Sequence, residues 1–559
     1  MATTPDDKAE PIRGDQAGTR RPDDDQASAA RSVDVEKELL GGSTYRGISE
    51  QALSPAEERF ERRRRTTGLW LAPLVTAIFY FLPLNLEYAQ QTLAAVLLGV
   101  VVLWMTEPVP IPIGGLIGIA AIALLGAVPA EEAFVPFGDT TVLTFIGAFI
   151  LAQAMLQHGL ARRFAFRILA IPGVGRSTTK VILAFGGITC LLSAFVSNTA
   201  TVAMLLPTAL GILTVIAKLL QEQGYTDSEG RFDPTRLRVG VALMLMLAYG
   251  ASVGGLLTPV GSPPNLIGRD LIEQRTGESI TFAAWVGMAL PLCALMFLAL
   301  SIVLIFLNRP EIRHLTGVEE YVARERASLG PLSRAELNTL FAFGVTVALW
   351  ITPGIVGLIA GADSALYTEI GDERLDEGIV AVIGAGLLFL LPTDWKKREY
   401  TMTWTDAAKI DWGTIVLFGT GIVFGSLLES TGLAETIGTN AFDALGFGST
   451  LAITAFAVVL AIMVSETTSN TASAAVVVPI ILPLAEAAGV NPLTPALAAT
   501  FAASFGFMLP VSTPQNAIVY GSGAVPITKM IRSGISFDLL GGLLVILLLP
   551  VMIGVVGLS

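Results

Sequence analysis

The stretch Ser193-Ala194-Phe195-Val196-Ser197-Asn198-Thr199 lies inside an apolar run, and Ser465-Glu466-Thr467-Thr468-Ser469-Asn470-Thr471 repeats its Ser-x-x-x-Ser-Asn-Thr pattern 272 positions later. Each copy is followed by alanine, short apolar residues and a proline, Pro207 or Pro479. Downstream of each lies a second match, Pro259-Val260-Gly261-Ser262-Pro263-Pro264-Asn265 against Pro510-Val511-Ser512-Thr513-Pro514-Gln515-Asn516. Upstream lies a third, Gly159-Leu160-Ala161 against Gly432-Leu433-Ala434. Three collinear matches identify an internal duplication. One Ser-Asn-Thr alone reads as a helix cap, since all three residue types bond the local backbone. Two copies, each in an apolar hairpin-length segment and each paired with a helix-breaking Pro/Asn loop, read as a binding site.

The rest of the chain sets the medium in which this duplication works. Of 559 residues, 53% are hydrophobic and 15% charged, where soluble proteins spend about a quarter on charge. The apolar residues form runs of a length that spans a hydrocarbon core as helix, so the fold class is an all-α polytopic membrane protein. A net charge of −12 argues against a nucleic-acid partner. The two cysteines, Cys190 and Cys293, sit in apolar segments, and His158 and His314 are the only histidines. That leaves no His/Cys metal cluster and no nucleophile–base pair, so neither an enzyme nor an organic cofactor is expected.

Loop charge fixes a topology. Glu61-Arg62-Arg63-Arg64-Arg65 precedes the first apolar run, which places the N-terminus in the cytoplasm under the positive-inside rule. Arg162, Arg163, Arg167, Arg176 and Lys180 belong inside, as do Lys396, Lys397 and Arg398, while the acidic stretch 355–377 belongs outside. All agree if 180–218 is a re-entrant hairpin, and treating 449–487 alike gives eleven crossings with the C-terminus outside. The expected plan is a disordered cytoplasmic tail at 1–65, scaffold helices at 66–135 and a first repeat at 136–308 containing hairpin 180–218. A cytoplasmic linker at 309–337 and a second repeat at 338–559 containing hairpin 449–487 complete it. Five crossings separate corresponding features, so the halves are inverted, as in many secondary transporters.

A Ser-Asn-Thr turn or a Pro-rich break at membrane depth frees backbone N–H and C=O groups, which survive there only when buried in protein or lining a polar cavity. Carbonyls at helix C-termini suit a hard cation such as Na⁺, and N–H groups at helix N-termini attract an anion. Neither pair of motifs contains Lys or Arg, so anion binding must lean on the cation, which is a route to coupling. Glu466 is the one carboxylate in these motifs and a functional candidate by virtue of its depth.

These motifs, with Ala503-Ser504-Phe505-Gly506-Phe507-Met508-Leu509 leading into Pro510–Asn516 and on to Val519, resemble the divalent anion/sodium symporter family, the INDY-type Na⁺/dicarboxylate–sulfate transporters, over about residues 66–559. The resemblance implies a homodimer in the plasma (inner) membrane whose transport domain moves like an elevator against a scaffold. It implies a first Na⁺ site at Ser193, Ser197, Asn198 and Gly261, and a second at Ser465, Ser469, Asn470, Ser512 and Pro514. Substrate carboxylates would meet Asn198, Thr199 and Ser262 from one half and Asn470, Thr471 and Thr513 from the other. The implied function is Na⁺-coupled transport of a small divalent anion, first a C4-dicarboxylate such as succinate, malate or fumarate. Exchange of one dicarboxylate for another, sulfate or citrate as substrate, and an anion channel are the alternatives. Gln515 stands where the first copy has Pro264, which alters loop stiffness or adds a polar group near substrate.

Overall fold

The structure, a computed structural model, describes residues 35–40 and 55–558 apart from 227–229, 231, 362–363 and 447. Helices of eight or more residues are numbered in chain order. An opening trio comprises α1 (Pro55–Phe81), α2 (Tyr88–Thr106) and α3 (Ile111–Leu124). Next come α4 (Thr140–Gln157), α5 (Leu160–Leu169), α6 (Thr178–Ser193), α7 (Asn198–Glu222), α8 (Arg238–Gly255), α9 (Pro263–Thr276) and α10 (Phe282–Leu307). After α11 (Val318–Ser328), α12 (Arg334–Ala360) and α13 (Glu377–Leu390), a small hairpin pairs β1 (Pro392–Asp394) with β2 (Glu399–Tyr400). The chain closes with α14 (Trp412–Ser430), α15 (Leu433–Leu445), α16 (Thr450–Thr467), α17 (Asn470–Ala487), α18 (Leu493–Ala502), α19 (Pro514–Gly521) and α20 (Ile527–Val556).

Helix for helix, α14–α20 repeat the order of α4–α10, including its breaks. Gly159 before α5 and Gly432 before α15 both take φ near +72°, at 71° and 72°, a left-handed turn that a side chain would strain. The helix begun by α8 stops at Gly255 and restarts at Pro263-Pro264, because proline has no N–H to continue the ladder. The helix begun by α18 breaks and restarts at Pro514 in the same way. Among the described residues, ten helices are long and apolar enough to cross a membrane. On α20 the stripe Leu539, Leu543, Leu547, Val551 and Val555 is exposed along one face, the surface of an all-α polytopic membrane protein turned to lipid.

Side-chain bonds gather the loops at two ends. At the basic end, Arg163 binds Glu336 at 2.6 Å together with the Leu329 and Gly330 carbonyls, and Arg176 meets Glu319. Arg238 meets Glu311 there, Arg532 donates to Leu307 O, and Asn338 donates to Pro392 O. At the opposite end, Arg275 bridges Glu429 and Glu486, Arg269 reaches Glu377 and Gln90 donates to Thr431 O. Both arms of the α6–α7 pair attach to the basic end: the Thr178 N–H donates to Arg313 O, while Gly211 on α7 lies against Tyr321. The α16–α17 pair is its opposite, since Glu486 at the end of α17 sits on Arg275. Against the α6–α7 pair runs α8, buried from Val239 to Gly255. Its Gly254 packs so close to α6 that a methyl group would stand 2.2 Å from Cys190 O.

One expectation needs correction. The tail expected to be disordered to residue 65 is helical from Pro55, and a short helix spans Val35–Leu40, where Val35 and Leu39 are buried beside α7 and Glu36 pairs with Lys218. The rest of 1–54 lies outside the described residues. Proline at the first helical position and Glu58–Arg62 and Glu61–Arg65 spacings favour helix where composition alone suggested none. The linker 309–337 also contains α11, and the charged stretches after α4 and α14 fold as the short helices α5 and α15.

The Arg163–Glu336 pair is nearly enclosed, its side chains 11% and 6% exposed. Arg163→Ala strands a buried carboxylate and is expected to cost about 3–5 kcal/mol, read as a lower melting temperature of the purified protein. A shift no larger than that of Arg162→Ala, an exposed neighbour, would refute this.

Candidate functional site: paired half-sites at the helix breaks

The first half-site forms where the α6–α7 turn meets the break between α8 and α9. Ser193 Oγ, at the end of α6, donates to Asn198 Oδ1 at 2.5 Å, so the side chains close the turn across its mouth. Ser197 caps α7 by accepting from the Ala200 N–H. The break is stapled to this turn: Thr258 Oγ1 donates to Ala194 O, and Asn265 Nδ2 donates to Gly255 O at 2.7 Å and Thr258 O at 2.8 Å. At Gly261 three carbonyls converge. A Cβ there would stand 2.6 Å from Gly255 O, 2.9 Å from Ala194 O and 3.1 Å from Ser193 O. Such a cradle of acceptors suits a hard cation that takes oxygen ligands.

The second half-site repeats this bracing with different tuning. Ser465 Oγ has Asn470 Oδ1 and Ala503 O each at 2.8 Å and donates to one at a time. Asn516 Nδ2 donates to Gly506 O and Leu509 O, the carbonyls at the same offsets as those held by Asn265. Ser469 caps α17 and Thr513 caps α19. Here the loop hangs on Glu466, which is 3% exposed. Its carboxylate accepts from the Met508 N–H at 2.7 Å and from Ser512 Oγ at 2.6 Å. Asp538 of α20 lies beside it, also buried.

The sequence candidates occupy these places unevenly. Ser193, Asn198, Gly261 and Ser262 are buried together around the first break, and Ser465, Ser512 and Thr513 around the second. Asn470, Thr199 and Thr471 are half-buried at the first turns of α7 and α17, while Pro514 is exposed at the start of α19. Ser262 precedes α9 without a side-chain cap bond. Four helices, α7, α9, α17 and α19, begin at the two breaks; α7 and α17 start on Asn-Thr, whose N–H groups can face an anion, whereas the prolines at the head of α9 and α19 carry none. The halves join through Gln515 Nε2, which donates to Ser252 Oγ at 3.0 Å, and through Tyr249 OH, which donates to Phe507 O at 2.6 Å. Gln515 is therefore a buried strut between halves, with its amide N–H turned to Ser252.

Sequence reasoning missed the braces. Asn265 and Asn516 close both copies of the second motif, and that shared final residue was the available signal. Asn265 Oδ1, Asn516 Oδ1 and Ser504 Oγ are buried without a partner, so the half-sites keep acceptors in reserve. Among the described residues no group of three or more His, Cys, Asp or Glu could hold a metal ion, and the two half-sites offer neutral oxygen donors.

Half-sites rich in carbonyls and helix N-termini, at breaks in duplicated helices of opposite insertion, define a secondary transporter. The chain belongs to the family described as "Sodium:sulfate symporter transmembrane region", which it matches over residues 64–556. It is 31% identical to the sodium-dependent dicarboxylate transporter SdcS of Staphylococcus saprophyticus over 87% of this chain and 92% of that one. It is 30% identical to SdcS of Staphylococcus aureus over the same shares. A solved structure, the Alcanivorax borkumensis YdaH transporter, superposes with a TM-score of 0.49 at 15% identity, covering 88% of this chain and 98% of that one.

Gly261→Ala places a methyl group among three carbonyls and is expected to weaken Na⁺ binding about tenfold or more, read as a rise in the Na⁺ concentration needed to protect the protein thermally. Unchanged Na⁺ protection in a folded variant would exclude this cradle as a cation site.

Proposed function

We propose that the protein is a secondary active transporter that couples Na⁺ to movement of a small divalent anion, first a C4-dicarboxylate. One observation carries the reading: carbonyls and Ser/Asn oxygens of the hairpin tips converge beside helix N-termini, with no Lys or Arg in the four motifs. Cations bound by Ser193, Ser197, Asn198 and Gly261, and by Ser465, Ser469, Asn470, Ser512 and Pro514, supply the positive charge that the side chains lack. Substrate carboxylates then meet Asn198, Thr199 and Ser262 on one side and Asn470, Thr471 and Thr513 on the other. Each ion raises the anion's affinity, and the anion raises the ion's by the same factor, which is symport in thermodynamic form. That the SdcS relatives are dicarboxylate transporters supports dicarboxylate over sulfate or citrate.

In this reading the basic end faces the cytoplasm, as the arginine-rich loops require, and the C-terminus lies outside. The scaffold of 66–135 holds a homodimer, while the repeats at 136–308 and 338–559, joined by the 309–337 linker, carry both hairpins across the bilayer as an elevator.

Uptake of labelled succinate into proteoliposomes is expected to fall about tenfold or more when choline replaces Na⁺. Uptake that persists without a cation gradient but needs internal dicarboxylate would replace symport with exchange. Asn198→Ala and Asn470→Ala are each expected to abolish uptake in protein that still elutes as a single folded species. Wild-type rates in both would sink the site assignment.

A further inference from the structure

Away from the helix breaks, a cleft of about 1260 Å³ opens between α6 and α10 at the basic end. Its walls are apolar, formed by Leu183, Phe297, Ile302 and Phe306, and its mouth carries Ser177, Arg309 and Arg313. Leu298, Ile302 and Phe306 are all more than half exposed on the outer face of α10. From Phe297 to Arg309 the wall is about 18 Å long at the helical rise. The hydrocarbon of one bilayer leaflet is about 15 Å deep. The cleft therefore has the depth of an acyl chain and a polar mouth at the level of a headgroup.

Charge at the mouth is not balanced. Arg238 is spoken for by Glu311, whose side chain is 1% exposed. The Arg309 guanidinium lies 5.1 Å from the centre of the Phe306 ring, which holds it over the apolar wall. Among the described residues neither Arg309 nor Arg313 forms an ion pair with a carboxylate. Two unpaired guanidiniums at the interface, above an acyl-sized groove, match a phosphate that carries its own hydrocarbon.

We propose that this cleft binds an anionic phospholipid, with one acyl chain along α10 and the phosphate between Arg309 and Arg313. The lipid would brace the arm of the first hairpin whose far end carries Ser193, so the α6–α7 unit would be held at both ends. The inference needs the membrane reading but not the substrate or the coupling ion.

The test is native mass spectrometry of the purified full chain with phosphatidylglycerol or phosphatidylcholine of matched acyl chains, a readout independent of transport. Phosphatidylglycerol is expected to be retained in preference, and the double variant R309Q/R313Q to lose about thirtyfold of that affinity without change toward phosphatidylcholine. Ile302→Trp, which fills the groove and leaves the charges in place, is expected to weaken phosphatidylglycerol retention as well, and serves if the double variant does not fold. Equal retention of both lipids by the wild-type protein, or full retention by either folded variant, overturns the proposal. Displacement of the lipid by excess inorganic phosphate alone would show an anion site rather than a lipid site and overturn it too.

Discussion

A broken helix inside a bilayer must find partners for the backbone groups it frees, and this requirement organises the molecule. Each unsatisfied N–H or C=O in hydrocarbon costs several kcal/mol by itself. Both breaks are closed by one asparagine at the foot of the following helix, Asn265 or Asn516, whose amide N–H groups take two carbonyls from the loop above. Three carbonyls face Gly261: Gly255 O is held by Asn265 and Ala194 O by Thr258, and each keeps a second lone pair. The backbone groups that make the break expensive are thus the ones that shape the half-site.

Charge is rationed accordingly. Most of the arginines that form ion pairs do so toward the two ends of the bundle, where water shares the load, as with Arg163–Glu336 and Arg275–Glu486. In the middle, side chains of the Ser, Thr and Asn type do what a fixed ion pair would do elsewhere. Glu466 and its buried neighbour Asp538 are exceptions, and Glu466 is occupied: the Met508 N–H and Ser512 Oγ both spend themselves on its carboxylate. Replacing it would release the loop 503–513, so its position in the motif is structural as much as electrostatic.

Much of the fold was legible because a duplication and a membrane each leave a strong imprint on sequence. The Ser-x-x-x-Ser-Asn-Thr pairs located both turns, and the basic residues of 162–176 and 396–398 marked loops that do gather at one end of the bundle through their contacts. What escaped was amphipathic or long-range. The helices α5, α11 and α15 are too short and too charged to register as apolar runs, and the helical start of α1 was hidden by its Glu/Arg composition. In the site, the hydroxyl and amide types were readable but their partners were not. Asp538 meets Glu466 from a position 72 residues on, and Gln515 reaches Ser252 from 263 residues away. No local spacing encodes such contacts.

The two half-sites share an architecture without sharing a mechanism of rigidity, and this asymmetry follows from single substitutions between the copies. The first loop is held by backbone economy: Pro263-Pro264 restrict the restart of α9, and Gly261 admits the carbonyls that crowd it. In the second copy Gln515 replaces the second proline and Ser512 replaces the glycine. Stiffness lost from the backbone returns as side-chain bonds, Gln515 to Ser252 and Ser512 to Glu466. A loop fixed by covalent restriction keeps its shape whether or not an ion is bound. A loop fixed by hydrogen bonds to a buried carboxylate feels any change in the charge around that carboxylate. The second loop is therefore the one whose shape depends on the charge beside it, while the first depends on its prolines and Gly261.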